Sequence, residues 1–297
     1  MDMLRISGLC KRFGNKEVLR SLNLSVPEHS IFGFIGKNGS GKTTTMKTVL
    51  GLLPIDSGEI FVNGERVSYG NTATNRCIGY LPDVPEFYSF MTAPEYLKYC
   101  AEISGIDLTD VEAEISELLA LVGLSEEKHR IKGFSRGMKQ RLGIAQALLD
   151  KPKLLICDEP TSALDPIGRK EILDILLAVR DKTTVLFSTH ILSDVERICT
   201  DVAFLNNGVI EIQGKLSDIK AKYRKDEYRI TVDSESDAQG LKNAFPELKE
   251  DSDGAFKLSE ASLYDVLHFI SESHISLVSV ERAEPTLESL FMEVSEK

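Results

Sequence analysis

The chain has 297 residues, of which 42% are hydrophobic and 27% charged, and its formal net charge is −11. This length predicts one large domain plus a small one, and the acidic balance argues against a general nucleic-acid binder or a polybasic membrane-surface binder. No apolar run approaches about 18 residues, so we expect no membrane-spanning helix. The five scattered cysteines form no Cys-x-x-Cys pair and are typical of reduced thiols, not of a metal site.

The predicted elements begin with three apolar segments that are typical of β-strands, at residues 4–9, 18–26 and 31–35. Phe13 lies between the first two segments, next to a turn. An exposed ring there could stack on a nucleotide base, although a core position is the more common use of an isolated aromatic residue. On its own, Phe13 leaves both interpretations open.

A glycine-rich loop that fits the pattern G-x-x-x-x-G-K-[ST] follows the third predicted strand, and a helical pattern begins at its end. The loop and the residue after it are Gly36, Lys37, Asn38, Gly39, Ser40, Gly41, Lys42, Thr43 and Thr44. In this order of elements, backbone N–H groups and the helix dipole converge on one anion. Lys42 can reach the β- and γ-phosphate oxygens, and the Thr43 hydroxyl can hold Mg²⁺. The loop therefore predicts that the protein binds a nucleoside triphosphate.

The middle of the chain alternates between short strands and helical segments. A strand over residues 57–64 ends in an Asn-Gly turn, and a short strand at 78–81 leads to Asp83. Residues 94–128 are helical and acidic, which is typical of a solvated face. A further helix begins near Ser135, whose side chain suits an N-cap; by itself it is an ordinary capped helix.

Two apolar strands that are consecutive in this part of the sequence end in polar residues that suit phosphate chemistry. Residues 154–157, after Lys153, form a continuous apolar run typical of a strand buried in a parallel sheet. Asp158 and Glu159 follow it, at the end of the strand where α/β sheets bind ligands. Because a buried carboxylate is costly without a partner, we predict that Asp158 holds Mg²⁺ and that Glu159 orients or deprotonates a water molecule. His190 follows the strand at 183–189, within reach of the γ-phosphate.

The last third of the chain has a different pattern. After a hairpin at 202–212 and a basic, linker-like stretch at 220–225, strands are predicted at 227–232, 247–250, 255–258 and 275–281, helices at 236–244, 260–272 and 285–294, and an Asp253-Gly254 turn. Up to residue 281 the order is β-α-β-β-α-β, which suggests a small ferredoxin-like domain. No catalytic constellation stands out in this tail.

With these motifs identified, the chain resembles the ATP-binding subunits of ABC transporters over residues 3 to about 215. The resemblance implies an α/β fold, with a P-loop NTPase core, an antiparallel β subdomain and a helical subdomain at about 86–150, all within residues 1–220. Residues 221–297 would form a small C-terminal α+β accessory domain. ATP and Mg²⁺ are the implied cofactors, and ATP hydrolysis is the implied reaction.

The same resemblance implies partners and a location. A second ATP-binding subunit, in a homo- or heterodimer, and integral-membrane permease subunits are the expected partners, with no nucleic acid. The permease would hold the chain at the cytoplasmic face of the cell membrane. The tail, including residues 284–291, looks like a sub-group that pairs with separate permease subunits and often exports drugs, peptides or antibiotics. Dimerisation, bracing and regulation all stay open as roles of the tail.

Several residues take an expected role from the family's motifs. Phe13 sits where the family carries the aromatic residue that stacks on adenine, commonly Tyr. Ser135 and Gly137 lie in a match to the family's Ser-Gly-Gly-Gln signature and are expected to meet the γ-phosphate bound by the other subunit. Asp165 ends the segment that reaches across the dimer, and His190 matches the switch histidine.

The sequence departs from the family's pattern in two motifs. Asp83 stands where Gln is usual; it could still face Mg²⁺ or the attacking water, but it adds negative charge near the phosphates. In the signature, Arg136 stands where Gly is usual and Met138 where Gln is usual. Because an arginine needs space that a glycine does not, the Arg136 side chain is expected to point away from the nucleotide.

Three other classes of protein remain open. A soluble ABC-type ATPase acting on ribosomes or DNA is disfavoured by the single cassette, the lack of a long coiled-coil insertion and the acidic charge. A GTPase or a small-molecule kinase is a second class, but residues 15–18 miss the Asn-Lys-x-Asp guanine motif. A regulatory module without turnover is a third, and the presence of Glu159 argues against it.

Overall fold

The computed structural model describes residues 1–70, 73–106, 111–223, 227–251, 254–283 and 286–295. The chain forms two compact units, Met1–Leu216 and Ser217–Glu296. Some predicted features fall outside the described residues: residues 107–110 of the predicted helical segment 94–128, the start of the predicted helix at 285, Asp253 of the predicted turn, and 224–225 of the predicted linker.

The first unit is an α/β structure. Its strands are β1 (Asp2–Phe13), β2 (Lys16–Pro27), β3 (Ile31–Ile35), β4 (Ser57–Val62), β5 (Glu65–Arg66), β6 (Ile78–Leu81), β7 (Leu154–Asp158), β8 (Thr184–Thr189), β9 (Asp201–Asn206) and β10 (Val209–Lys215). Its helices are α1 (Lys42–Val49), α2 (Ala93–Ser104), α3 (Val111–Leu121), α4 (Arg136–Leu148), α5 (Pro166–Val179) and α6 (Leu192–Ile198).

Two sheets organise this unit. The first is antiparallel, in the order β2-β1-β4-β5, and the second has the order β10-β9-β3-β8-β7-β6. In the second sheet β9, β3, β8, β7 and β6 run parallel, and β10 pairs antiparallel with β9. Every residue of β3, β7 and β8 is buried, as the apolar runs in β3 and β7 predict. Because parallel strands end at the same edge, the residues after β3, β6, β7 and β8 come together.

One hydrophobic core cluster contains side chains from both sheets and from α1. Leu24 and Ile60 come from the antiparallel sheet, Phe34 and Ile156 from the parallel one, and Met46 from α1. All five are at most 2% exposed. This shared core fixes the helix that follows the phosphate loop against the strands whose ends carry the polar site residues.

The helices α2, α3 and α4 lie within residues 86–150, the range predicted for the helical subdomain. Thr92 and Glu95 form a capping box at the start of α2, in which the Thr92 N–H donates to Glu95 Oε2 at 2.8 Å. Ser135 caps α4 as predicted, its hydroxyl accepting from the Met138 N–H at 3.2 Å. In the part of the chain that the structure describes, no helix has both the length and the apolar character that crossing a bilayer requires.

The first strand is longer than the sequence predicted. The prediction covered residues 4–9, whereas β1 runs from Asp2 to Phe13. The pairing with β2 shifts register between Ile6 and Leu9, around Gly8 with a φ of 59°. A bulge of this kind interrupts the alternation of apolar and polar residues while the strand continues. The apolar pattern therefore ended before the strand did.

The second unit begins within α7 (Leu216–Lys222) and contains β11 (Glu227–Val232), α8 (Glu235–Ala244), β12 (Lys249–Glu250), β13 (Phe256–Ser259), α9 (Glu260–Glu272), β14 (Leu277–Arg282) and α10 (Leu287–Ser295). Its sheet is antiparallel, in the order β12-β13-β11-β14. This is the ferredoxin-like arrangement that the order of elements predicted. Residues such as Ile230, Phe256 and Val266 form its own hydrophobic core.

Candidate nucleotide-binding site

The loop between β3 and α1 is a tight backbone cradle. Gly39 and Gly41 have φ values of 81° and 115°, which L side chains rarely adopt. A Cβ at Gly36 would lie 2.5 Å from Ser40 Oγ and 2.7 Å from the Leu205 carbonyl oxygen, so the close approach there requires glycine. Among the described residues, the buried Ser40 hydroxyl has no hydrogen-bond partner. A cradle with an unpartnered hydroxyl fits an anionic oxygen ligand.

Lys42 is buried at the start of α1, with only 6% of the residue exposed. Its Nζ donates to the Gly36 carbonyl oxygen at 2.6 Å and to the Lys37 carbonyl oxygen at 3.4 Å. The same nitrogen lies 3.1 Å from Glu159 Oε1. The ammonium group is therefore held inside the loop by oxygen atoms, which is the kind of ligand that a phosphate also provides.

Asp158, the last residue of β7, is tied to the phosphate loop and to the neighbouring strand. Thr43 Oγ1 donates to its Oδ2 at 2.7 Å, and Ser188 Oγ donates to its Oδ1 at 2.6 Å. The residue is only 2% exposed, and two hydroxyl donors offset the cost of burying its carboxylate. The structure thus brings together Thr43 and Asp158, the two residues whose oxygens were predicted to hold a cation.

Sequence reasoning did not identify Ser188. It lies in β8 directly opposite Asp158 in the parallel register, and it is fully buried. Besides donating to Asp158, its hydroxyl accepts from the Glu159 N–H at 3.0 Å. A serine directly after the apolar run 185–187 of β8 was the available signal, because buried polar groups are normally hydrogen-bonded.

Glu159 adopts a backbone conformation that non-glycine residues seldom adopt, with a φ of 49°. Its N–H donates to Ser188, and its carbonyl oxygen accepts from the Ser162 N–H at 3.0 Å. Its Oε2 lies 2.8 Å from His190 Nδ1, and its side chain is 13% exposed, against 46% for His190. Such conformations persist where surrounding contacts hold them, and they cluster at functional sites.

Asp83 follows β6 at the same edge of the sheet. Its Oδ1 lies 3.4 Å from Arg136 Nη2, and its carbonyl oxygen accepts from Gln140 Nε2 at 2.7 Å. Partial burial raises the pKa of Asp83, and the negative charges of Asp158 and Glu159 raise it further, while the Arg136 guanidinium acts in the opposite direction.

Residues of the phosphate loop and of the strand ends described above line a cavity of about 330 Å³. Its lining comprises Val18, Asn38, Gly39, Gly41, Lys42, Thr43, Thr44, Asp83, Asp158, Glu159, Ser162 and His190. The volume is within the range of roughly 300–1,000 Å³ that small-molecule sites occupy. Val18 and Ser162 were not predicted as site residues. The loop, the three carboxylates and the histidine therefore line one cavity.

The other predicted nucleotide contacts lie elsewhere on the first unit. Phe13 ends β1 with 48% of the residue exposed, and Lys11 Nζ lies 5.4 Å from the centre of its ring. Ser135 and Gly137 open α4, where a Cβ on Gly137 would meet no atom closer than 3.9 Å among the described residues. Asp165 caps α5, accepting from the Gly168 N–H at 3.0 Å. These residues remain predictions as nucleotide contacts.

The site as a whole is that of a P-loop nucleoside triphosphatase. Residues 19–162 match the ABC transporter family, and residues 214–295 match the C-terminal domain of DrrA1-3-like ATP-binding proteins. The chain is 44% identical over 231 residues to the uncharacterized ABC transporter ATP-binding protein YxlF of Bacillus subtilis (strain 168), covering 77% of each chain. It is 40% identical over 226 residues to the bacitracin transport ATP-binding protein BcrA of Bacillus licheniformis, covering 75% of this chain and 73% of that one.

A solved structure of the ATP-binding subunit of an ABC transporter is also similar. It shares 32% identity and a TM-score of 0.66, covering 74% of this chain and 93% of that one. The chain belongs to the family of ATP-binding proteins of ABC transporters, whose members bind and hydrolyse ATP. The predicted family, the predicted α/β fold and the predicted ATPase activity are confirmed.

Proposed function

We propose that this protein powers a separate integral-membrane permease from the cytoplasmic face of the membrane, and that the permease exports a drug, a peptide or an antibiotic. The observation that carries the energy-supplying part of this proposal is that residues of the phosphate loop line one cavity together with Asp158, Glu159 and His190. This arrangement supports ATP hydrolysis as the source of energy, which a purely regulatory module would not need.

In this proposal the phosphate loop and Lys42 bind the triphosphate, and Thr43 and Asp158 bind Mg²⁺. Among the described residues, no cluster of three or more His, Cys, Asp or Glu side chains could hold a metal. The donors present still fit Mg²⁺, which usually takes one or two protein oxygens together with phosphate oxygens and water. When bound, the cation neutralises charge on the β- and γ-phosphate oxygens.

Glu159 acts as the base in this proposal, and His190 orients it. The contact between Glu159 Oε2 and His190 Nδ1 supports these roles, because it fixes one carboxylate oxygen and leaves the group at the wall of the cavity. A base so placed can take a proton from a water molecule that attacks the γ-phosphorus in line.

A second copy of the chain, or a related subunit, completes the site in this proposal. Ser135 and Gly137 open α4, so that the N–H groups of its first turn suit an anionic group. A Cβ on Gly137 would meet Leu164 and Ser135 only at ordinary van der Waals distance, 3.9 Å. By resemblance to two of the family's motifs, the signature for Ser135 and Gly137 and the segment that reaches across the dimer for Asp165, these residues would contact the neighbouring subunit's nucleotide. ATP then favours the closed dimer, and hydrolysis removes the group that stabilises it.

The proposed cargo and partner rest on similarity. BcrA is named for bacitracin transport, and the second unit matches a domain of DrrA1-3-like ATP-binding proteins. These matches favour a transporter over an ATPase acting on ribosomes or DNA, which the net charge of −11 also disfavours.

The experiment is purification of the full chain from detergent-solubilised membranes and, in parallel, from the ribosomal fraction of the same cells. We expect a stable complex with an integral-membrane protein whose ATP turnover exceeds that of the isolated chain. The Lys42→Ala variant is the matched control, because it should keep the partner and lose the turnover. Recovery with ribosomes and without a membrane protein would refute the transport role.

A further inference from the structure

The helix α4 contacts Asp83 at two points. Arg136 Nη2 lies 3.4 Å from Asp83 Oδ1, and Gln140 Nε2 donates to the Asp83 carbonyl oxygen at 2.7 Å. Arg136 and Gln140 are four residues apart on a helix, so they share one face. The segment after β6 is thus attached to the first turns of α4 through both its side chain and its backbone.

Asp83 lies between two cavities. On one side it lines the nucleotide cavity together with Asp158 and Glu159. On the other it lines a smaller cavity, of about 240 Å³, whose wall also includes Arg136, Lys139 and Gln140. The charge on Asp83 therefore adds to that of two other carboxylates at the place where a triphosphate would bind. Arg136 is the cation in contact with that charge.

The solvent exposure of the Asp83–Arg136 ion pair indicates whether the pair should affect global stability or nucleotide affinity. The Arg136 side chain is 45% exposed and that of Asp83 is 49% exposed, whereas the Lys42–Glu159 pair is 6% and 13% exposed. Ion pairs as open to solvent as the first contribute little to global stability. A carboxylate in the cavity and an anionic ligand still repel each other measurably, because both are negatively charged. The pair should therefore change nucleotide affinity more than it changes the unfolding temperature.

We propose that Arg136 is a positioning residue of the ATP site, which holds the Asp83 carboxylate against α4 and offsets its charge in a cavity that already contains Asp158 and Glu159. Through this pair, two of the residues that depart from the family pattern, Asp83 and Arg136, compensate for each other. The inference rests on the proposed function of this cavity as the ATP site. It differs from a direct role of Arg136 on phosphate, because its effect requires Asp83.

A double-mutant cycle separates these two roles. The equilibrium dissociation constant for Mg·ATP is measured for the wild type, Arg136→Ala, Asp83→Asn and the double variant. We expect Arg136→Ala to weaken binding about three- to tenfold, because it leaves the Asp83 charge without its partner. In the Asp83→Asn background the same change should have no effect. Arg136→Lys, which keeps the charge, should bind within about twofold of the wild type.

Lys139→Ala is the matched control, since it removes a positive charge from the same small cavity. It should leave affinity unchanged, and the unfolding temperatures should show that every variant is folded. Higher salt should shrink the difference between wild type and Arg136→Ala, because it screens exposed charges. An equal loss in both backgrounds would show that Arg136 acts without Asp83, and the absence of any loss would also overturn the inference. If the wild type itself failed to bind Mg·ATP, the result would refute the proposed function and not only the role of Arg136.

Discussion

The ammonium nitrogen of Lys42 lies 3.1 Å from Oε1 of Glu159, and this ion pair joins the phosphate loop to the residue that follows β7. A triphosphate that recruits Lys42 competes with the Glu159 carboxylate for the same cation. We therefore expect nucleotide binding to loosen this pair and to leave Glu159 with His190, whose Nδ1 lies 2.8 Å from Oε2. Binding would then also free the proposed base for chemistry.

The first prediction concerns Glu159→Gln. Replacing the carboxylate with an amide removes the proposed base and the negative charge beside Lys42. ATP turnover should fall by about 10²–10⁴-fold, the usual contribution of a general base, while ATP affinity should stay the same or increase. Phosphate release measures the first quantity and equilibrium titration the second.

The same variant tests the dimer. With ATP and Mg²⁺, the Glu159→Gln chain should elute as a long-lived dimer in size-exclusion chromatography, and it should return to a monomer when ATP is removed. Adding Ser135→Arg should prevent this dimer, since a large side chain would stand at the start of α4. Turnover at the wild-type rate would show that another group is the base.

The second prediction concerns Lys42→Ala. Each hydrogen bond to a charged group contributes about 1.5–3 kcal/mol, so losing the ammonium should weaken ATP binding by roughly 10- to 150-fold. Lys47→Ala is the matched control, because Lys47 lies on the same helix with its side chain exposed. Titration with a fluorescent ATP analogue measures the affinity of both variants. Undiminished affinity in Lys42→Ala would remove the loop from the proposed site.

Much of the site could be predicted because its chemistry is local in sequence. The glycine pattern, the apolar run that ends in Asp158 and Glu159, and the strand before His190 each carry their own signal. The parallel topology then brings these strand ends together. The ferredoxin-like order of the second unit was also predicted, from the order of its strand and helix patterns along the chain.

Contacts between distant side chains could not be predicted in the same way. Asp83 and Arg136 are separated by 53 residues, and each was noticed only as a departure from a pattern. Ser188 gave a weak signal, because one serine in a strand can as easily be a neutral core residue. Such pairings depend on strand register and on helix rotation, which a single sequence does not encode in any local period.

The third prediction concerns a buried network behind the site. The Thr161 hydroxyl donates to Asp194 Oδ2 at 2.7 Å, and Arg169 Nη2 lies 2.6 Å from Asp194 Oδ1. Thr161 is 1% exposed and Asp194 3% exposed. Thr161→Val keeps the shape and leaves one carboxylate oxygen unpaired. It should lower the free energy of unfolding by about 1–3 kcal/mol, as measured by urea denaturation, while Thr161→Ser should lose much less. If Thr161→Val were as stable as the wild type, the hydrogen bond from Thr161 to Asp194 would not stabilise the fold.

The fourth prediction concerns pH. The Arg12 N–H donates to Asp56 Oδ2 at 2.6 Å, and Lys11 Nζ lies 3.2 Å from Oδ1. The hydrogen bond from Arg12, followed by that from Lys11, lowers the pKa of Asp56. A carboxylate whose pKa is lower in the folded state stabilises the protein above its unfolded pKa, and this contribution is lost as the pH falls through the folded pKa.

Asp56→Asn should therefore be less stable than the wild type at pH 7, and the difference should shrink as the pH falls from 7 to 3. Urea denaturation at several pH values measures it. A difference that stays constant over this range would show that the carboxylate charge is not what stabilises the fold at Asp56.

The last prediction concerns Phe13, whose ring is half exposed at the end of β1. If the ring stacks on adenine, Phe13→Ala should lose about 1–3 kcal/mol of binding, or roughly 5- to 150-fold in affinity for ATP. Phe13→Tyr should bind as the wild type does, because it keeps the aromatic face. Inorganic tripolyphosphate is the decisive comparison, since it offers the same phosphates without a base. Its affinity should be the same in the wild type and in Phe13→Ala; a parallel loss for both ligands would mean that the ring supports the loop instead of the base.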